Sequence, residues 1–257
     1  FITKEIVKME RARSLIEMTS PETAEALKKT NLAIIPIGSV EQHGKHLPMG
    51  TDYYAAEALA RRTASLTGGL LVDFIPFGVT PLHMGFPGTI SLRAETMIAV
   101  FMDVVGSVHH HGARNFVFYN WHERNLPVVE IAAERAQNEL EGAKVLIVHA
   151  HFIAKDNYGQ EVGLTHGGEL EVLPVMADRP ELVHLDLADD PSPQGHGVAQ
   201  DRLRRDPAVY YIPKDVKTMY ASGWYGNIND TSPERVDEVV EGTSRIAAER
   251  IKAYFEI

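Results

Sequence analysis

The stretch LAIIPIGSVEQHGKHLPMGTD, residues 32–52, decides the fold. Its first part, LAIIPIG, is a near-continuous apolar run, which is typical of a strand buried on both faces of a parallel sheet. Its second part carries Glu41, His43 and Asp52, a density of acid–base groups that a solvated loop does not require. In open α/β sheets, ligands gather at the carboxyl ends of strands. The stretch therefore predicts a strand followed by a functional loop.

The rest of the chain alternates apolar runs with amphipathic segments. Ser20 and Pro21 predict a helix start, and Gly112 predicts the end of a long helix. Further strands are predicted at 70–79, 115–120 and 144–150, and helices at 52–65, 93–111, 126–140, 168–177 and from 232. Strands that alternate with helices predict an α/β fold with a mostly parallel sheet. We interpret residues 1–257 as a single domain.

Composition narrows the function classes. The chain has 257 residues, a net charge of −10 and no cysteine. The negative charge argues against nucleic acid and anionic membranes as partners, and the missing thiols exclude disulfides and thiolate metal sites. No apolar run approaches the length of a membrane span, and residues 1–14 contain no signal-peptide core. We expect a soluble cytoplasmic protein with a small-molecule substrate.

Further polar clusters follow the other predicted strands. They are NWHERN at 120–125, the pair His149 and His151, and THGGELE at 165–171. If the sheet is parallel, all these loops open on one edge, and their imidazoles and carboxylates converge as in metal hydrolase sites. Two ions about 3.5–4 Å apart require a carboxylate that bridges them. A covalent nucleophile is not evident, since the sequence has no Cys and no Gly-x-Ser-x-Gly elbow.

Each cluster also has a structural interpretation. Glu41 and His43 could bond to the backbone of their own loop, and Asp52 could be the N-cap of the next helix. His122 alone is more often a strand-end histidine than a ligand. The run at 109–111 is typical of a helix C-terminus. From residue types and spacing alone, the metal site and these alternatives stay open.

With these residues in view, the chain resembles the creatininase family of metal-dependent hydrolases. GSVEQHGKHLPMGTD at 38–52 is similar to the first family motif, Gly-x-x-Glu-Gln-His-Gly-x-His-Leu-Pro-x-x-x-Asp, nearly residue for residue. FPGTISL at 86–92, HGARNFVFYNWHERN at 111–125 and THGGELE at 165–171 resemble the later motifs in the same order. The resemblance covers well over half of the chain.

The resemblance implies a three-layer α/β/α sandwich, two divalent metal ions and hydrolysis of a C–N bond. The ions would be Zn, Mn or Fe. Carried over by position, Glu41 and His122 would bind one metal, His43 the other, and Asp52 both. His166 would be the catalytic residue that passes a proton to the leaving nitrogen. His46 matches the motif, and we expect it to support the site rather than bind metal. The family is often a homo-oligomer, commonly a hexamer.

The sequence departs from the family pattern after His122. Members that hydrolyse creatinine carry a metal-binding glutamate two residues further on, where this chain has Arg124, and a cation cannot be a ligand. Glu123 is one step off and would point elsewhere. Our hypothesis is that Glu169, or with less support Glu171, completes the ligand set of the second metal.

The substrate is expected to differ from creatinine. Members active on creatinine carry a tryptophan four residues before the catalytic histidine, and Val162 stands there. Trp121, Arg124 and His151 are the candidate substrate-binding residues, and Arg124 could pair with a carboxylate or a polyhydroxy substrate, or form a structural ion pair. The leading function is hydrolysis of a small polar amide or cyclic amide. The alternatives are a lactone, a formamide, a C–C bond of a cyclic ketone, or metal binding without activity.

One late segment has two interpretations. Trp224 and Tyr225, in SGWYGN, belong either to a loop near the site or to a subunit contact. The sequence does not separate them.

Overall fold

A parallel sheet lies at the centre of the protein. The structure, a computed structural model, describes residues 12–159, 165–191 and 203–257. Within these ranges the sheet has four strands in the order β2-β1-β3-β4, and every pairing between neighbours is parallel. The strands are β1 (Leu32–Ile37), β2 (Leu70–Leu71), β3 (Asn115–Asn120) and β4 (Lys144–His149).

Helices cover both faces of this sheet. Their bounds are α1 (Ser20–Lys29), α2 (Thr51–Thr67), α3 (Ala94–His110), α4 (Leu126–Glu139), α5 (Ala150–Tyr158), α6 (Glu169–Asp178), α7 (Pro233–Val236) and α8 (Gly242–Phe255). A π-helical segment, Asp237–Glu241, joins the last two. No helix in the described ranges is both long enough and apolar enough to cross a membrane.

Alternation along β1 produces two hydrophobic cores. Leu32 and Ile34 pack with α2, α5, α6 and α8 on one side, whereas Ala33 and Ile35 pack with α3 and α4 on the other. All six residues of β1 are buried, as the apolar run predicted. The predicted three-layer α/β/α sandwich is confirmed. The single domain over residues 1–257 includes residues outside the described ranges and stays a prediction.

Several local predictions need correction. The strand predicted at 70–79 spans only Leu70–Leu71 at the edge of the sheet, with one further hydrogen bond from the backbone N–H of Val72 to the carbonyl of Ile34 at 2.9 Å. Helix α5 was not predicted. Thr19 rather than Ser20 caps α1, since the Thr19 side chain accepts from the backbone N–H of Glu22. The glycine predicted to end the long helix is found just beyond it: Gly112 follows His111, the C-cap residue of α3, and has φ +114°.

Candidate metal centre

The loop after β1 turns back on itself, and its acid–base groups are buried. The backbone N–H of Glu41 donates to the carbonyl of Met49 at 2.8 Å, which closes the loop on itself. At its end, α2 begins at Thr51 with Gly50 as its N-cap. Asp52 therefore lies inside the first turn of α2, and the alternative that it is the N-cap of this helix is wrong. Its carboxylate turns to the loop instead and accepts from Ser39 Oγ at 2.8 Å.

Asp52 lies between the two histidines of the centre. Its Oδ1 is 3.2 Å from His43 Nε2, and its Oδ2 is 2.8 Å from His122 Nδ1. His43 comes from the loop after β1 and His122 from the end of β3, so adjacent parallel strands deliver the pair. The Asp52 carboxylate thus offers a separate oxygen to each of the two histidines.

Glu41 borders the same cluster. Its Oε2 lies 3.4 Å from His122 Nε2 and accepts a hydrogen bond from Thr80 Oγ1, and its Oε1 lies 3.3 Å from His83 Nε2. Glu41 is only 1% exposed. Since an unpaired buried carboxylate is costly, a site of this kind needs cationic partners.

Helix α6 contributes Glu171 and not Glu169, which reverses our preference between the two. Glu171 Oε2 lies 3.8 Å from His43 Nε2, and Glu171 is buried. Glu169 opens the helix and accepts from Arg235 Nε at 2.7 Å, away from the cluster. Residues two apart on a helix point to nearly opposite sides, so only one of the two carboxylates can face the site.

These groups form sets that could hold metal ions. Among the described residues, ligand atoms within 4.8 Å of one another are offered by Glu41, Asp52 and His122, by His43, Asp52 and Glu171, and by Glu41, His43 and His166. We call these the metal-type sets, and their residues together the metal-type cluster. The first two sets share Asp52. All their members are buried. Imidazole and carboxylate are the donors that zinc and manganese accept in proteins.

Hydrogen bonding orients the imidazoles toward a cation. His43 Nδ1 lies 3.1 Å from the carbonyl oxygen of Glu41, a bond that places the proton on Nδ1 and leaves Nε2 facing the carboxylates. The Nε2 atoms of His43 and His122 are buried and have no hydrogen-bond partner among the described residues. The donor set and these two atoms fit a bound metal.

The pKa values of His43, His122 and Glu171 are raised in the protein without metal. Burial lowers the pKa of His43, but the carboxylates of Asp52 and Glu171 outweigh it and raise the pKa to about 10. Burial also lowers the pKa of His122, but the carboxylates of Glu41 and Asp52 outweigh it and raise the pKa to about 9. Burial raises the pKa of Glu171 to about 7. A metal must displace such protons to bind.

His166 stands beside the cluster in a fixed orientation. Its Nε2 donates to the backbone carbonyl of Gln42 at 2.7 Å, and its Nδ1 lies 4.0 Å from Glu41 Oε1. Burial, together with the nearby His43 and His83, holds the pKa of His166 well below its ordinary value. A neutral His166 with its proton on Nε2 presents the free Nδ1 to the site.

The predicted support role of His46 agrees with its contacts. His46 Nε2 donates to the carbonyl oxygen of Gly167 at 2.7 Å, tying the first loop to the segment that carries His166. The ring meets Trp224 edge-on, with centroids 4.8 Å apart. His46 is absent from the metal-type sets found among the described residues.

A cavity of about 40 Å³ opens beside the metal-type cluster. All three candidate substrate-binding residues line it: Trp121, Arg124 and His151. The Trp121 indole stacks on the His151 ring, with centroids 4.8 Å apart and planes 4° from parallel. Tyr225 also lines the cavity, so the late loop lies near the site. Val162 falls outside the described residues.

Sequence reasoning missed several residues of the site. Thr80 and His83 contact Glu41 from the segment between β2 and α3. Their only signal is position, just before FPGTISL at 86–92. Arg204 and Arg205 line the cavity from a part of the chain, between residues 178 and 231, for which the sequence predicted no helix or strand. That part offers no periodicity that could place a side chain.

The fold and the cluster define an α/β protein with a buried histidine–carboxylate centre at the carboxyl edge of its sheet, the arrangement of a metal-dependent hydrolase. A sequence profile described as Creatininase, creatinine amidohydrolase, matches residues 16–251. The chain belongs to the creatininase family.

Named relatives agree with this membership. A 3-dehydro-scyllo-inosose hydrolase of Thermotoga maritima is 28% identical over 243 residues, covering 87% of this chain and 78% of the relative. The creatinine amidohydrolase of Pseudomonas putida is 26% identical over 241 residues, covering 86% of this chain and 89% of that relative. The solved structure titled "Creatininase Mn" superposes with a TM-score of 0.77 at 24% identity, covering 95% of this chain and 99% of that one. The predicted family and the class of hydrolase are confirmed.

Proposed function

We propose that this protein is a two-metal hydrolase that cleaves a C–N bond in a small polar amide or cyclic amide. Glu41, Asp52 and His122 would hold one divalent ion, and His43, Asp52 and Glu171 the other. The observation that carries the proposal is the position of Asp52. Its Oδ1 lies 3.2 Å from His43 Nε2 and its Oδ2 lies 2.8 Å from His122 Nδ1, so each oxygen borders a different histidine, and this arrangement supports a carboxylate shared by two ions.

The ions would be zinc, manganese or iron, because each of these metals binds imidazole and carboxylate ligands. Divalent ions supply Lewis acidity, which lowers the pKa of water and polarises a carbonyl oxygen. The chain supplies fixed and buried ligands, so that little reorganisation is needed when charge develops on the substrate. Glu41 is held by Thr80, and Asp52 by Ser39, which limits the movement of both carboxylates.

His166 would move the proton. Its Nδ1 faces the centre, and its lowered pKa leaves that atom able to accept a proton near neutral pH. In the reaction, the oxygen of water forms a bond to the carbonyl carbon and its proton goes to His166. The C–N bond then breaks, and His166 returns the proton to the leaving nitrogen. The products are a carboxylic acid and an amine.

A second candidate is hydrolytic opening of a cyclic ketone at a C–C bond. The observation that favours it is the 28% identity to a hydrolase named for 3-dehydro-scyllo-inosose, a cyclic ketone. Lactones and formamides would suit the same centre, because each offers a carbonyl carbon to attack. A metal-binding protein without activity remains the contrasting hypothesis, and Arg124 in place of a glutamate motivates it.

Metal counting combined with a substrate screen tests the proposal. The purified chain is stripped of metal, reloaded with Zn²⁺ or Mn²⁺, and its bound metal is measured by mass spectrometry. We expect about two ions per chain. We expect Asp52→Asn to lower the affinity for both ions and Glu41→Gln for only one. Asp186→Asn, a substitution outside the metal-type sets of the described residues, is the matched control and should retain both ions.

The screen uses the metal-loaded enzyme with small amides, cyclic amides, formamides, lactones and cyclic polyol ketones. Turnover that depends on added metal and fails in Asp52→Asn supports the hydrolase. A chain that binds one ion or none, or binds two and turns over no member of the panel, contradicts it.

We further propose a cytoplasmic homo-oligomer, as in the family resemblance. Size-exclusion chromatography with light scattering tests the assembly.

A further inference from the structure

A group of arginines lines the cavity next to the metal-type cluster. Arg124, Arg204 and Arg205 all border it, and Glu123 is the one carboxylate beside them among the described lining residues outside that cluster. This placement is unusual for a chain with a net charge of −10. A local cationic surface in an acidic protein attracts anions to one place, because low-dielectric walls focus the field there.

Glu123 is occupied by two of these arginines. Arg205 Nε lies 3.2 and 3.1 Å from the two Glu123 oxygens, and Arg204 reaches Oε2 at 3.5 Å. Burial would raise the pKa of Glu123, but Arg205 and Arg204 lower it to about 2. Arg205 also donates to the hydroxyl of Tyr225 at 3.3 Å. Glu123 therefore orders this wall and is already committed to two cations.

Arg124 differs from its neighbours. Its Nε is buried and has no hydrogen-bond partner among the described residues. A buried guanidinium nitrogen without an acceptor is costly, and a bound ligand can supply that acceptor. Arg124 lies in the short helical turn Glu123–Asn125, two residues after His122. Arg124 thus lines the same cavity as the carboxylates and histidines of the metal-type cluster.

We propose that Arg124 binds a carboxylate of the substrate, so that the enzyme acts on amides that carry an anionic group close to the scissile bond. The guanidinium is a planar fork that matches a carboxylate in two parallel hydrogen bonds. Arg204 and Arg205 add positive charge to the same wall. The inference rests on the proposed hydrolase for the position of the scissile bond. It makes Arg124 a specificity residue, in the place where the family pattern has a metal ligand.

Two pairs of small amides that differ only in the charged group test the inference. They are N-formylglycine with N-formylglycinamide, and succinamic acid with succinamide. Affinities are measured by calorimetry on the metal-loaded full chain at neutral pH, with turnover recorded separately. We expect each acid to bind roughly 10- to 100-fold more tightly than its amide, and Arg124→Ala to remove most of this difference. Arg124→Lys should retain part of it.

Arg135→Ala is the matched control. Arg135 pairs with Glu139 on the exposed surface of α4, so its loss changes the net charge equally without touching the cavity. The preference for acids should survive in this control. Equal affinity for acid and amide in the wild type, no binding of either acid, or a preference that persists in Arg124→Ala would overturn the inference. Circular dichroism and metal content show whether each variant is folded and loaded.

The two proposals fail in different ways. If the acids bind through Arg124 but no amide is hydrolysed, the anion site stands and the hydrolase reaction is wrong. If neutral amides are hydrolysed and Arg124→Ala changes no affinity, the hydrolase stands and the anion site is wrong.

Discussion

Arg235 donates through Nε to Oε1 of Glu169 at 2.7 Å, and this contact turns Glu169 away from the metal-type cluster. The backbone N–H of Gly167 donates to Glu171 Oε2, which holds that carboxylate near His43. Two acidic residues of one helical turn therefore have different roles. One is part of an ion pair that joins α6 to α7, and the other borders the candidate centre.

Substituting each of the two glutamates separates these roles. We expect Glu171→Gln to lose one of two bound ions, because the amide is a poorer ligand than the carboxylate. We expect Glu169→Gln to retain both ions and to lower the free energy of unfolding by about 1–2 kcal/mol, since a charged hydrogen bond is weakened. Bound metal and urea unfolding of both variants are the measurements. Loss of an ion from Glu169→Gln alone would restore our original assignment.

Some residues of the candidate centre could be predicted from the sequence and others could not. Glu41, His43 and Asp52 follow one buried strand and could be predicted together, because the strand period and a contiguous motif fix their place. Glu169 and Glu171 could not be separated, since the choice depends on where α6 begins and on Arg235, which is distant along the chain. Local sequence does not carry information of this kind.

Residues from irregular segments were beyond prediction for a related reason. His83 reaches Glu41 from a segment without helix or strand periodicity, and its position depends on packing against the first loop. Arg204 and Arg205 were missed in the same way. Pattern reasoning therefore placed Trp121, Arg124 and His151 in the predicted site, and all three line the cavity, but it missed the lining residues that come from segments without periodicity.

Metal affinity should increase with pH. His43 and His122 have pKa values of about 10 and about 9 in the protein alone, so both are protonated at neutral pH and must lose a proton to bind metal. We expect the apparent affinity to rise about tenfold per pH unit for each displaced proton between about pH 6 and 9. Calorimetry in two buffers of different ionisation enthalpy counts the protons released. An affinity that stays constant over this range contradicts the protonated histidines.

Removing His166 should affect turnover more than metal content. We expect His166→Ala to lower kcat by about 10²–10⁴, because a positioned proton carrier is lost, and to retain both ions. His110→Ala, at the exposed end of α3, is the control and should keep full activity. His166 also belongs to one of the metal-type sets, with Glu41 and His43. A fall in bound metal that matches the fall in kcat would make His166 a ligand instead of a proton carrier.

Gly38 sets the distance between β1 and α2. A Cβ at this position would lie 2.3 Å from the backbone nitrogen of Tyr53, so any side chain must push the start of α2 away and carry Asp52 with it. We expect Gly38→Ala to destabilise the fold by about 1–3 kcal/mol, as overpacking does, and to weaken metal binding. Urea unfolding and metal titration measure the two effects.

Gly106→Ala is the matched control for Gly38→Ala. A Cβ at Gly106, in the middle of α3, meets no atom within 4 Å, so the change should stabilise the protein by about 0.5–1 kcal/mol through helix propensity alone. Its metal affinity should equal that of the wild type. If Gly38→Ala is as stable as the wild type and binds metal equally well, then the close approach of β1 to α2 does not position Asp52.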